Sequence, residues 1–258
     1  MLQVRFKHEG EVYHGEVVDD GYAVDRSVFN PEEVDVLPPS DPTKVVAVGK
    51  NYVDHVQAIL GDGVVERDPF PLLFFKPASS VVGHRDAIRY PESSNFLDYE
   101  AELGVVINRE CTNVTEEEAL DYVRGYTCVN DITARDWQIR EDQWVRAKGA
   151  DTFSPMGPYL QTELNGSLDV ISRVNGEVRQ ESNTENFLFS ISELIAAISE
   201  FVTLETGDVI ATGTPAGTAA EEVPMDEWPD RSGEAALEHG DIVEVEIQSV
   251  GTLVNEVV

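Results

Sequence analysis

The chain has 258 residues, 49 of them acidic and 18 basic, for a formal net charge of −31. That length suits one large domain, or a small unit joined to a medium one, with a substantial core. The sequence has no basic stripe for phosphate, no apolar run of bilayer length, no apolar signal segment and only two cysteines, Cys111 and Cys128, which argues against nucleic acid, membrane and a disulfide framework and predicts a cytoplasmic protein.

Only five of the basic residues are lysine, and the acidic ones are dispersed among apolar periodic segments. This distribution opposes an acidic disordered tail and suits a folded surface adapted to saturated salt, where the Debye length is about 3 Å or less. In chain order, residues 1–42 read as a small β-rich N-terminal domain with its linker. MLQVRFKHEGEVYHGEVVDDGYAVD alternates apolar and polar residues around Gly10, Gly15 and Gly21, predicting short antiparallel strands joined by turns. PEEVDVLPPSDPTK, with four prolines, reads as the linker and puts a boundary near Pro42, leaving 43–258 as the main domain. There, strands are predicted at residues 45–48, 72–75, 103–107, 125–129, 168–174, 209–211 and 242–247. Helices are predicted at 53–60, 115–122 and 191–201, the last with Ser190 or Ser192 as N-cap. Many strands and few helices make the chain α+β, mostly β, on a mixed sheet. Residues 61–69 and 224–241 are polar and aperiodic and read as surface loops.

Three carboxylates stand out. LDYEAELGVVI reads as one strand, which turns Glu100 and Glu102 to the same face, and Asp131 follows in CVNDITARDWQ. Such a face can simply be solvated in an acidic protein. As a ligand set, oxygen donors alone suit Mg²⁺ or Mn²⁺ better than zinc. Arg135, Asp136 and Gln138 follow at once, and WVRAKGADTFSPMGP adds Lys148 and Asp151. Cationic and amide donors beside a metal can hold a carboxylate or an enolate oxygen. Upstream, VVAVGKNYVDHVQAI predicts a strand, a turn and a helix with His55 in its first turn, and downstream DVIATGTPAGT ends a strand in a turn where Thr214 and backbone donors can take an anion.

In chain order GKNYVDH, FFKPASSVVG, YEAELGVVI, NDITARDWQ, KGADTFSPMGP, VNGEVRQ, FSISELIAAIS and LETGDVIATGTPAG resemble the fumarylacetoacetate hydrolase superfamily over about residues 43–258. The resemblance implies a mixed β-sandwich roll as the catalytic domain and a homodimer. It implies Glu100, Glu102 and Asp131 as ligands of one Mg²⁺ or Mn²⁺, and His55 as general base. Lys148, Gln138 and Arg135 are implied to stabilise an oxyanion, with Thr214, Lys148 and Gln138 binding substrate; for Arg135 a plain ion pair with Asp136 or another carboxylate is the alternative. Lys76 in FFKP fits the family motif or a structural ion pair equally well. Many members carry a glutamate one turn after the histidine, where this chain has Ala58, and Glu66 in the 61–69 loop, a lid in the family, is a candidate replacement. The implied substrate is a 2-oxo or diketo acid. Carbon–carbon hydrolysis of an acylpyruvate stands first, with tautomerisation, isomerisation of a 2-hydroxydienoate or decarboxylation as the alternative, and dehydration of keto-deoxy sugar acids behind them. A binding protein that has lost its base is the remote reading.

The acidic surface generates a prediction of its own. Screening offsets self-repulsion, so the melting temperature should rise across a series from about 0.1 to 2 M KCl, and a flat or falling series would give the surface another cause.

Overall fold

The computed structural model describes residues 1–61, 65–224, 227 and 235–258. It is mostly β with few helices, as the sequence predicts. The main sheet runs, neighbour to neighbour, through Ser27–Phe29, Gly21–Val24, Glu11–Val18, Leu2–His8, Ser154–Gln161, Val123–Asn130, Ala101–Ile107, Val209–Ala211, Lys44–Gly49 and Leu72–Pro77. A second, antiparallel sheet orders Glu177–Asn183, Asp169–Val174, Ile242–Ile247 and Gly251–Glu256. The largest apolar cluster lies between them and includes Val46, Leu103, Val105, Val170, Val245 and Ile247, with Leu194, Ile195 and Ile198 of the helix Ile191–Phe201 packed in. That helix starts at Ser190, whose hydroxyl accepts from Glu193 N while Glu193 accepts from Ser190 N, a capping box.

Ala101–Ile107 lies between two strands and buries every side chain, which is why its sequence is nearly all apolar. Gly104 lets it pack there: a Cβ would stand 2.6 Å from Val129 Cγ2 and 3.0 Å from Thr127 Cγ2. Lys44–Gly49 and Val209–Ala211 run parallel, so the turns that follow them, Lys50–Asn51 and Thr212–Thr214, emerge side by side. Asn51 ties these turns together, donating to Thr212 O at 2.8 Å and Phe189 O at 3.2 Å and accepting from Phe189 N at 2.8 Å. The antiparallel register brings the start of Ala101–Ile107 and the end of Val123–Asn130 to the same edge. Polar residues from four strand ends therefore converge.

The sheet is strongly curled. Lys76 and Asp131 sit on or beside strands separated by three others, roughly 19 Å apart in a flat sheet, yet the lysine ammonium pairs with Asp131 Oδ1.

Several expectations are corrected. LDYEAELGVVI is not one strand: Leu97–Asp98 pairs with Thr133–Ala134, and the chain re-enters the sheet only at Ala101. The helix expected at 115–122 is a 3₁₀ turn at Ala119–Tyr122, since exposed Glu116, Glu117 and Glu118 give it no apolar stripe and so short a segment nucleates poorly. Gly15 is no turn residue: it lies within Glu11–Val18, where a Cβ would meet Ala23 O at 2.7 Å. The N-terminal strands keep a small core of Val4, Phe6 and Tyr22, but Leu2–His8 pairs with Ser154–Gln161, so they extend the main sheet. Of the two loops, residues 62–64, 225–226 and 228–234 lie outside the described residues. Among the described residues no helix is long and apolar enough to cross a membrane.

The close approach at Gly104 sets a test. Gly104→Ala should lower unfolding stability by about 1–3 kcal/mol through overpacking, and an unchanged denaturation midpoint would contradict the packing described.

Candidate active site

At the converging edge, Glu100, Glu102 and Asp131 place carboxylate oxygens all within 4.8 Å of one another, and all three side chains are buried. Backbone geometry fixes them. Glu100 N donates to Asn130 Oδ1 at 3.0 Å, Asp131 N donates to Glu100 O at 2.9 Å, and Glu102 Oε2 accepts from Gly213 N at 2.9 Å. Burial opposes the charge on Glu100, but Lys148 and Arg135 outweigh it and hold the carboxyl at about 2. Glu102 goes the other way: burial, then the charges of Asp131 and Glu100, raise it well above the usual carboxylate range. A buried, all-oxygen set in which burial and its acidic neighbours raise one member fits a hard divalent cation.

Three buried cations answer these carboxylates. Lys148 Nζ donates to Glu100 Oε2 and Asp131 Oδ2, both at 2.8 Å, and to Thr133 Oγ1 at 2.7 Å. Lys76, wholly buried, pairs with Asp131 itself, so the ion-pair and site readings of this residue coincide. Arg135 donates from Nε to Asp98 Oδ2 at 2.8 Å, from Nη2 to Glu100 Oε1 at 2.6 Å and from Nη1 to Gln138 Oε1 at 3.0 Å. Its ion-pair partners are therefore other carboxylates, Asp98 and Glu100, and not Asp136, which accepts from Ser94 Oγ at 2.6 Å. Asp151 is exposed. Around the triad, Asp98, Glu100, Glu102 and Asp131 face Lys76, Lys148 and Arg135, and with all seven groups ionised a divalent cation would leave one surplus positive charge. Such a balance suits an anionic substrate.

His55 lies on the helix Val53–Leu60, and its Nδ1 meets Glu221 Oε1 at 2.7 Å. Glu221 is held in turn by Gly217 N at 2.7 Å and the Thr218 hydroxyl at 3.3 Å. A carboxylate at Nδ1 places that ring proton between them and leaves Nε2 as the basic nitrogen. A carboxylate for His55, absent at Ala58, thus comes from the 3₁₀ turn Ala219–Glu222, while Glu66 is exposed. Asp98 braces the arrangement, accepting from Ala219 N at 2.9 Å and Ala220 N at 3.0 Å besides Arg135. Neither Glu221 nor Asp98 is singled out in the sequence. The one signal for Glu221 is its place just beyond the Gly-Thr-Pro turn, and its partner is 166 residues away.

A cavity of about 230 Å³ gathers His55, Glu100, Arg135, Gln138, Lys148 and Thr214 on its wall. Glu102 and Asp131 are not on that wall; Lys148 is, and it bonds Asp131 from there. Gln138 uses its carbonyl on Arg135, which leaves its amide N–H groups for a ligand. The Thr214 hydroxyl donates to Ala101 O at 3.1 Å and accepts from Gln180 Nε2 at 2.8 Å, so its proton already has an acceptor. A wider hollow of about 410 Å³ among the N-terminal strands has Arg5, His14 and Arg124 on its wall and none of these site residues.

The fumarylacetoacetate (FAA) hydrolase C-terminal family matches residues 44–258. An uncharacterised protein of Archaeoglobus fulgidus is 44% identical over 260 residues, covering 98% of this chain and 95% of that one. The mitochondrial oxaloacetate tautomerase of Xenopus laevis is 40% identical over 245 residues, covering 90% of this chain and 71% of that one. In structure, the 5-carboxymethyl-2-hydroxymuconate delta-isomerase of Mycobacterium smegmatis superposes with a TM-score of 0.85 at 33% identity, over 100% of this chain and 99% of that one. With its buried acidic triad at the sheet edge and these matches along nearly its whole length, the chain belongs to the fumarylacetoacetate hydrolase superfamily, whose members are hydrolases, isomerases and tautomerases.

Proposed function

We propose that this enzyme moves a proton in a 2-oxo acid, as a tautomerase or isomerase, with Mg²⁺ or Mn²⁺ held by Glu100, Glu102 and Asp131. The observation that carries the reading is that His55, oriented by Glu221 behind it, and Lys148, which is bonded to the acidic triad, share one small cavity. When bound, the divalent ion supplies Lewis-acid polarisation of the substrate's adjacent carboxylate and oxo oxygens. His55 Nε2 takes a proton from the carbon beside the oxo group and returns it elsewhere, and Glu221 stabilises the imidazolium between the two steps. The Gln138 amide holds the developing oxyanion, Lys148, whose three N–H groups are taken by Glu100, Asp131 and Thr133, stabilises it through its charge, and Arg135 keeps Glu100 and Gln138 in place. The tautomerase and isomerase relatives favour this reaction over carbon–carbon hydrolysis, reversing the order drawn from sequence. Hydrolysis of an acylpyruvate remains a second reading for one specific reason: the carboxylate thought missing at Ala58 is present as Glu221, so a base able to activate water is oriented here.

Two outcomes test the site. The raised carboxyl of Glu102 gives the metal-free protein stability that is fully present at low pH and lost as pH rises through its folded pKa, because the folded state then holds an uncompensated charge. Thermal melts should therefore show Mn²⁺ stabilising the protein more as pH rises, and Glu102→Gln should cut Mn²⁺ affinity by at least about 100-fold. Equal Mn²⁺ affinity in that variant would remove Glu102 from the ligand set.

For the base, His55→Ala should lower turnover of oxaloacetate enol by roughly 10²–10⁴ while Mn²⁺ affinity stays nearly constant. Glu221→Gln should lower it by a smaller factor, and Glu66→Gln should leave it unchanged. A Glu66→Gln defect with a fully active Glu221→Gln would reverse the assignment.

A further inference from the structure

The cavity has an apolar share to its wall as well as the charged one. Away from the carboxylates its wall is made by Phe74, Trp144, Ile59 and Ile139. The Phe74 and Trp144 rings meet edge to face with centroids 5.4 Å apart, and Lys148 Nζ stands 5.3 Å from the Phe74 centroid, so the apolar wall begins where the charged pocket ends. Ile59 and Ile139 are 36% and 39% exposed, in a chain whose surface is otherwise strongly acidic. Gly49 makes room for the indole: a Cβ there would lie 3.2 Å from Trp144 Cζ3 and 2.9 Å from Leu72 Cδ2.

The spacing of these residues is regular. Ile59 lies four residues after His55 on the helix Val53–Leu60. Ile139 lies four after Arg135, with its N–H bonded to Arg135 O at 3.1 Å, and Trp144 lies four before Lys148, whose N–H bonds Trp144 O at 2.9 Å. Phe74 lies two before Lys76 on the strand Leu72–Pro77. One helical turn, or two strand positions, keeps side chains on one face, so His55, Arg135, Lys148 and Lys76 each carry an apolar neighbour beside them. Proton transfer next to an oxo group needs none of these four side chains. Their convergence needs an apolar occupant.

We infer that the substrate is a 2-oxo acid bearing an apolar tail of several carbons, seated on Trp144, Phe74, Ile59 and Ile139. The inference rests on the proton-transfer reading and names the substrate class for that same site. Lengthening the tail from 2-oxobutanoate to 2-oxohexanoate should raise kcat/KM about three- to fourfold per methylene in the Mn²⁺-loaded enzyme. Trp144→Ala should lower the ratio of long-tail to short-tail kcat/KM by at least about tenfold. Ile139→Ser, at an exposed position where folding is not at risk, should lower the same ratio by a smaller factor. Calorimetry with oxamate and N-butyloxamate, which are not turned over, reads the tail site by itself. Tighter binding of N-butyloxamate without turnover of any 2-oxo acid supports the tail site and overturns the proton-transfer reading. Turnover with equal kcat/KM across the series, and equal affinity for the two oxamates, overturns the tail site and leaves that reading standing.

Discussion

The charge balance around Asp131 is the constraint on which the rest of the molecule depends. Buried ions are costly unless their partners lie within hydrogen-bonding distance, and removing one partner strands the other. Asp131 draws Lys76 from the far strand of the curled sheet segment, Leu72–Pro77, and Lys148 from a helix packed against that same strand. The curl therefore closes the sheet around the site, and the site's charges hold the curl. Glu102, raised by burial and by the charges of Asp131 and Glu100, marks the point in this balance where positive charge is short and a cation would complete it.

Asp98 extends this linkage to the base. It takes hydrogen bonds from Arg135 on one side and from the backbone of Ala219 and Ala220 on the other, and Glu221 sits one residue beyond. The donor that orients Glu100 and the carboxylate that orients His55 thus share one anchor. A shift in either is felt by both, which keeps proton transfer and oxyanion binding in register.

What can be read from the sequence follows the range of the interactions. Glu100 and Glu102 are two apart beside an apolar strand, Arg135 and Gln138 are one turn apart, and Ser190 and Glu193 make a capping box, all local patterns visible in a few residues. The break at Tyr99 is not visible, because it depends on Leu97–Asp98 pairing with Thr133–Ala134. Glu177–Asn183 hides for a different reason: with Gln180 as its one fully buried side chain, it lacks the apolar alternation that marks a strand. Gln180 nevertheless locks the Thr214 turn to Ala101, accepting from Ala101 N at 2.9 Å and donating to Pro215 O at 2.8 Å. Glu221 is the furthest out of reach, since Ala58 draws attention to the wrong segment while the compensating carboxylate arrives from the other end of the chain.

The four-residue spacing between His55 and Ile59, Arg135 and Ile139, and Trp144 and Lys148 has an evolutionary side. Neighbours one turn apart move together when a helix shifts but mutate independently. Duplicated copies of such a gene can rewrite the apolar letter of each pair while the charged letter stays fixed, so new substrates become accessible through single steps that leave the reaction intact. Divergent preferences on a common chemistry are the expected history of a site written this way.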